Sequence, residues 1–173
     1  MQNAPLPSAP LDGPMLSLPY DGLAMAAIHF LEAENLPDIA KDCGKACAWL
    51  EACGYPGLKL LFEALDTTPT ALRHPPLEVD SLGLDLHNVS CVFLAPRLDR
   101  MVRQHGRLFL RNVRHGLYLV PFSVHANIGI GCPVDPAFAL GGERMKNPYE
   151  EKLALARHNG IAVAEDLLRR LAK

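Results

Sequence analysis

The residues that come nearest to a chemical motif lie in residues 127–142, N-I-G-I-G-C-P-V-D-P-A-F-A-L-G-G. Alternating glycines allow positive φ angles and a close approach of the backbone to a ligand. A cysteine thiol in such a loop becomes a nucleophile when backbone amides and a nearby histidine lower its pKa. One hypothesis is therefore a catalytic set with Cys132 as nucleophile, His125 as base and Asp135 orienting the histidine.

The same stretch does not match the common nucleotide-binding loops. A G-x-G-x-x-G fingerprint requires glycine where Val134 stands, and Pro133 follows where a helix should begin. The Gly-Lys-Ser/Thr end of a Walker loop is also missing. Two further interpretations stay open, which are non-covalent binding of a small ligand and a proline-braced turn between two elements.

A basic cluster precedes this stretch, with six arginines and one acid, Asp99, between Arg97 and Arg114. Guanidinium groups favour carboxylates and phosphates, which they bind through paired hydrogen bonds. We therefore predict an anionic small molecule as ligand. The predicted ligand-binding residues are Arg107, Arg111, Arg114, His115, Asn127, Gly129 and Gly131. The alternatives are a solvated helix face and ion pairs with acids such as Asp85, Asp99 or Glu143.

The cysteines and histidines give no metal motif. The spacing of Cys43, Cys47 and Cys53 does not supply a C-x2-C pair, and the seven histidines form no H-x-x-x-H pair. Cys43 and Cys47 lie one helical turn apart on an apolar stripe, and Cys91 is flanked by apolar residues, so all three are predicted core side chains. We predict no metal site and no cofactor.

Composition restricts the partners and the compartment. The net charge of -2 creates no field that would attract nucleic acid or a membrane. No apolar run approaches the roughly 18 residues of a spanning helix, and the N-terminus does not resemble a signal peptide. Five irregularly spaced cysteines indicate reduced thiols. The sequence predicts a cytoplasmic protein that binds neither nucleic acid nor membranes.

The periodicity of apolar residues changes once along the chain. Residues 1–14, with four prolines, are predicted to be an extended arm, and residues 15–66 form a lobe of three helices. Residues 67–77 hold three prolines and are the predicted linker to an α+β lobe over residues 78–173. One compact domain for the whole chain is the alternative.

The second lobe is predicted to begin with a buried strand over residues 89–95 and a helix that ends at Gly106. A hairpin pairs residues 107–113 with residues 117–124, and two helices follow, the first capped at Asn147. The predicted fold class is therefore α+β, with an N-terminal helical lobe, a small antiparallel sheet with a hairpin, and C-terminal helices.

The helical lobe also carries a family resemblance. Its residues follow the pattern A-x3-G-K-A-x2-W-L-x3-G-x2-G from Ala40 to Gly57. This pattern resembles the start of an uncharacterised bacterial family, domain of unknown function three-seven-two-six. The rest of the chain is similar only loosely, and Asp38-Ile39 replaces the Trp-Gly pair that usually precedes the alanine. The resemblance implies a bacterial protein and brings no activity with it.

Two functional hypotheses follow. In the first, the protein is a non-catalytic binding or accessory protein for an anionic small molecule or a partner protein. In the second, it is a small hydrolase or transferase that uses Cys132 as nucleophile. An exposed proline-rich arm and an edge strand both favour association, so we expect a homodimer.

Overall fold

The fold combines a helical N-terminal half with a five-stranded sheet, as seen in a computed structural model that describes residues 13–134, 137–142 and 146–173. The helices are α1 (Tyr20–Ala33), α2 (Pro37–Ala52), α3 (Gly57–Thr67), α4 (Cys91–His105), α5 (Leu119–Ala126), α6 (Glu150–Asn159) and α7 (Glu165–Leu171). The strands are β1 (Met15–Leu18), β2 (Val79–Asp80), β3 (Gly83–Asp85), β4 (Arg107–Arg111), β5 (Ile130–Val134), β6 (Ala137–Gly141) and β7 (Ile161–Ala164). The predicted α+β class is confirmed.

The three predicted N-terminal helices are present, and apolar spacing explains their packing. Leu23, Ala27 and Leu31 recur at intervals of four, and all three are fully buried where α1 packs against α2. Pro37 stands at the first position of α2, where its missing N–H costs nothing. The predicted Cys43, Cys47 and Cys91 core positions are confirmed, since all three side chains are buried.

The large sheet has the strand order β2-β3-β4-β6-β5. Its neighbours are antiparallel except β3 and β4, which run parallel and are connected by α4. Leu108 and Leu110 of β4 point into the core, whereas Arg107 and Phe109 are exposed on the opposite face. A separate two-stranded sheet pairs β1 with β7. The sequence analysis did not find β7, which is only four residues long.

The strand predicted over residues 89–95 is wrong, because most of this run is the first part of α4. Ser90 caps the helix, and its Oγ accepts a hydrogen bond from Val92 N at 3.1 Å. Every residue from 91 to 95 is fully buried. A run that is buried on all sides shows no period, so a helix and a strand look the same in sequence.

The predicted hairpin partner over residues 117–124 is also wrong. This segment forms a short 3-10 turn and α5 instead, while β4 is confirmed. Pro121 lies in the first turn of α5, where a proline is tolerated because the amide has no helical partner. The hairpin of the sheet is β5–β6, inside the glycine-rich residues 127–142 that the sequence analysis interpreted as a loop.

The division into lobes stays a prediction. Residues 1–12 of the predicted arm lie outside the described residues, and Pro14 O accepts a hydrogen bond from Glu165 N at 2.9 Å. In the predicted linker, Arg73 is buried, donates to Leu65 O and Thr68 O, and lies 5.3 Å from the ring centre of Phe93. One apolar cluster contains buried residues of both predicted lobes.

A thiol completes the hydrogen bonding of α4. Pro96 has no N–H, so the carbonyl of Val92, four residues earlier, receives no hydrogen bond from that position of the helix. The Cys43 thiol of α2 donates to this oxygen at 2.8 Å. Burial, and then the nearby Asp42 carboxylate, raise the pKa of Cys43 far above its ordinary value, which keeps the donor proton in place.

A double-mutant cycle tests this arrangement. Cys43→Ala is expected to destabilise the protein by about 1–2 kcal/mol, because a buried carbonyl loses its donor. In a Pro96→Ala background the new amide can donate to Val92 O, so the same change should cost about 1 kcal/mol less. Urea unfolding of the four proteins measures this coupling. Cys47→Ala is the matched control and should show no coupling to position 96; additive effects for Cys43 and Pro96 would contradict the interpretation.

Candidate functional site

A cavity of about 720 Å³ lies among α2, α4, α5 and α6, with Tyr20 at the start of α1 on its wall. Each helix contributes one face. On α2 the lining residues recur at helical intervals, from Asp38 through Asp42 and Lys45 to Trp49. On α4 they are Pro96, Asp99, Arg100 and Arg103. Cavities of several hundred cubic ångströms are the usual size of small-molecule sites.

The cavity is rich in charge. Its basic groups are Lys45, Arg100, Arg103, His125 and Arg157, and its carboxylates are Asp38, Asp42 and Asp99. Arg103 and Asp99 form an ion pair within α4, with Nε 3.1 Å from Oδ2. Among the described residues, Lys45 and Arg100 have no hydrogen bond or ion pair with another side chain. These two cations are therefore available to a ligand.

Aromatic side chains form another part of the wall. Trp49, Tyr20 and Phe122 all line the cavity. Tyr149 packs edge-on against Trp49 with ring centres 4.7 Å apart, and its hydroxyl lies 3.2 Å from that of Tyr55. The Arg157 guanidinium lies over the Tyr20 ring at 5.4 Å. The aromatic rings are thus held by neighbours, which favours a preformed wall.

The structure distributes the predicted ligand-binding residues over three places. Arg107 and Arg111 lie on the outer face of β4, where Arg111 Nη2 donates to Asp80 Oδ2 at 2.7 Å. Arg114 and His115 lie beside Glu63 of α3. Asn127, Gly129 and Gly131 belong to the chain that leads from α5 into the β5–β6 hairpin. Gly129 extends the ladder of this hairpin, since its carbonyl accepts from Gly141 N at 3.0 Å.

A chain of polar groups connects the buried side chains of Ser90 and His115 to the exposed Glu63. Ser90 Oγ lies 2.8 Å from His115 Nδ1, and His115 Nε2 lies 3.3 Å from Glu63 Oε1. Burial lowers the pKa of His115, and the Glu63 carboxylate opposes this shift. In the neutral tautomer with its proton on Nε2, the Ser90 hydroxyl can donate to Nδ1. Among the described residues Nε2 itself has no well-aligned hydrogen-bond partner, and Glu63 Oε1 is a nearby carboxylate oxygen.

This chain resembles a catalytic triad in composition but is not placed for catalysis. Ser90 is fully buried, and its oxygen already accepts the N–H of Val92 as a helix cap. Two further amides of the first turn are also used, since Cys91 N donates to Arg114 O and Phe93 N donates to Ser90 O. These amides are not available to stabilise an oxyanion. The three side chains instead tie α3 to the start of α4.

The proposed catalytic set of Cys132, His125 and Asp135 stays a prediction. His125 lies in the last turn of α5 and lines the cavity. Cys132 belongs to β5, but its side chain, like the whole of Asp135, lies outside the described part of the chain. Burial raises the pKa of the Cys53 thiol to about 11 and those of Cys43, Cys47 and Cys91 further still. These four thiols are not nucleophiles at neutral pH.

Some residues of this cavity were candidates from the sequence, but their common location was not predicted. His125 was a candidate, and Arg100 and Arg103 belonged to the basic cluster. Lys45 and Trp49 entered only through the family resemblance, and Asp38, Tyr20 and Phe122 were missed. The available signal was the spacing of polar residues along α2, which puts Asp38, Asp42, Lys45 and Trp49 on one face.

Comparisons with protein-family models, curated proteins and solved structures found no match to this chain. The resemblance to domain of unknown function three-seven-two-six therefore stays a prediction. Within the described ranges, no group of three or more histidine, cysteine or acidic side chains is arranged to hold a metal ion. Over the same residues, no helix has the length and apolar character needed to cross a membrane.

Proposed function

We propose that the protein is a non-catalytic binding protein whose helical cavity holds a small anionic molecule. The observation that supports this function is the pair of unpartnered cations, Lys45 and Arg100, on the wall of a cavity of about 720 Å³. A guanidinium and an ammonium group on the wall of one cavity can bind the same carboxylate or phosphate.

The balance of charge in the cavity supports an anion. Because Asp99 is paired with Arg103, three permanent cations, Lys45, Arg100 and Arg157, face two remaining carboxylates. On the sheet face, Arg111 is paired with Asp80, and Arg107 lies on the open surface of a strand rather than in a cavity.

The test uses Trp49, which is the one tryptophan of the chain and lines the cavity. Titration with millimolar inorganic phosphate and with succinate should change its fluorescence and raise the melting temperature by mass action. Arg100→Gln should weaken binding at least about tenfold, because a hydrogen bond to a charged group contributes about 1.5–3 kcal/mol.

Arg107→Gln is the matched control, because it removes the same charge from the outer face of β4. It should leave both titrations unchanged. If Arg107→Gln abolished binding and Arg100→Gln did not, the anion site would be the sheet face. If no anion changed Trp49 fluorescence or the melting temperature, the proposed function would be wrong.

A further inference from the structure

We infer that the ligand of this cavity is a planar ring system that carries a phosphate and hydrogen-bond donors, with the chemistry of a nucleoside monophosphate. The inference rests on the proposed function and names the class of the anion. Three properties of the cavity support it, which are its size, its aromatic wall and its unpaired carboxylates.

The cavity has room for more than a bare anion. A cavity of about 720 Å³ is much larger than a phosphate ion or a short dicarboxylate. Sites of about 300–1,000 Å³ typically enclose ligands of the size of a drug or a nucleotide. An anion held by Lys45 and Arg100 would therefore leave most of the cavity to the rest of the molecule.

The aromatic wall favours a planar group in that remaining space. Tyr20 and Phe122 are half-buried side chains on the wall, and Trp49 is 8% exposed. Stacking on an aromatic side chain stabilises a bound base, whichever base it is. A short aliphatic anion would gain nothing comparable from these rings.

The carboxylates select for hydrogen-bond donors. Among the described residues, Asp38 and Asp42 have no ion-pair partner, although both line a cavity that also holds cations. A ligand with negative charge alone would bind the cations and leave these two carboxylates without a hydrogen-bond donor. Ionised carboxylates only accept hydrogen bonds, so they suit the hydroxyls of a sugar or the amino group of a base. One nucleotide-like molecule therefore satisfies the cations, the rings and the carboxylates together.

The experiment compares three related probes on the full chain: adenosine 5′-monophosphate, ribose 5-phosphate and adenosine. Trp49 is excited at the red edge of its absorption, where the base does not absorb. Adenosine 5′-monophosphate is expected to quench Trp49 and raise the melting temperature, and the two fragments should each bind at least about tenfold more weakly. Phe122→Leu should weaken the nucleotide severalfold and leave ribose 5-phosphate unchanged.

The outcomes separate this inference from the proposed function. If the nucleotide and ribose 5-phosphate bind equally and both are weakened by Arg100→Gln, the cavity binds anions and the inference about the ring is wrong. If adenosine binds as tightly as the nucleotide, the phosphate does not contribute and the inference fails as well. If none of the three probes changes Trp49 fluorescence or the melting temperature, and inorganic phosphate and succinate do not change them either, both the inference and the proposed function are wrong. Arg107→Gln again serves as the charge-matched control.

Discussion

Gly44→Ala is expected to destabilise the protein by about 2 kcal/mol, although alanine is a better helix former than glycine. Gly44 lies in α2 at its contact with α1. A Cβ at this position would lie 2.8 Å from Ile28 N and 3.1 Å from its Cα. The backbone cannot move aside as a flexible side chain does, so α1 and α2 would have to separate.

Gly22→Ala is the matched control, because Gly22 is also helical but its Cβ would meet only Pro19 side-chain atoms at 3.6 Å or more. That variant should gain about 0.5–1 kcal/mol from helix propensity alone. Thermal unfolding measures both changes, with melting temperatures expected to shift in opposite directions by a few degrees. Equal stabilisation of the two variants would show that α1 and α2 are not in close contact at Gly44.

The contact between α1 and α2 also explains some of the residues that carry the family resemblance. Gly44 allows the approach of α1, and a Cβ on Gly57 would lie 2.5 Å from Cys47 O, so this glycine allows the approach of α3. Trp49 packs on Tyr149 beside the cavity. A pattern of glycines and one tryptophan can therefore arise from helix packing, which is consistent with a resemblance that brings no activity with it.

Local signals predicted the elements whose pattern was visible in a few residues. The helices α1, α2 and α3 have one apolar face each, and Pro37 and Gly106 mark ends that the structure confirms. The strand prediction for residues 89–95 was wrong because nearly the whole run is buried, so it has no alternation of apolar and polar residues that would indicate a helix or a strand. The strand prediction for residues 117–124 was wrong because β-branched and aromatic residues favour strands in general. Here the side chains of Tyr118 and Leu119 are buried in the core from helical turns instead.

The candidate site was harder to predict because it is formed by tertiary packing. Lys45 and Arg100 are far apart in sequence, and the family pattern that contains Lys45 has no link to the basic cluster that contains Arg100. Only the packing of α2 against α4 brings them to one cavity. The arginines of β4 looked like an anion site because they alternate on one face, but Arg111 is paired with Asp80 of β2, across β3. The sequence shows which charged residues lie near one another on the same helix or strand. It does not show which helices and strands pack against each other.

The second large effect is a loss of stability as the pH rises through the titration of Glu51. Its carboxyl group lies between α2 and the start of α3, where Oε1 accepts a hydrogen bond from Leu58 N at 2.8 Å. Burial raises the pKa of Glu51 from 4.5 to about 7, while the backbone donors of Leu58 and Gly57 oppose the shift. Between these two values the folded protein holds a proton that the unfolded chain has lost.

The sign of the pH dependence follows from this proton. Because the native state binds more protons than the unfolded state, the free energy of unfolding falls with increasing pH, by up to about 1.4 kcal/mol per unit. The contribution is fully present below pH 4.5 and is lost by about pH 7, on the order of 3 kcal/mol in total. His115 acts in the opposite direction, because its pKa is lowered and the native state is favoured when the ring is neutral.

Glu51→Gln isolates this contribution, because glutamine keeps the oxygen that accepts from Leu58 N but does not titrate. Urea unfolding of both proteins between pH 5 and pH 8 should give nearly equal stabilities at the acidic end, since Glu51 is then protonated. Near neutral pH the variant should be more stable by about 2–3 kcal/mol. The titration of His115 is common to both proteins and cancels in their difference. Parallel curves for the two proteins would mean that the amides at the start of α3 hold Glu51 in its charged form.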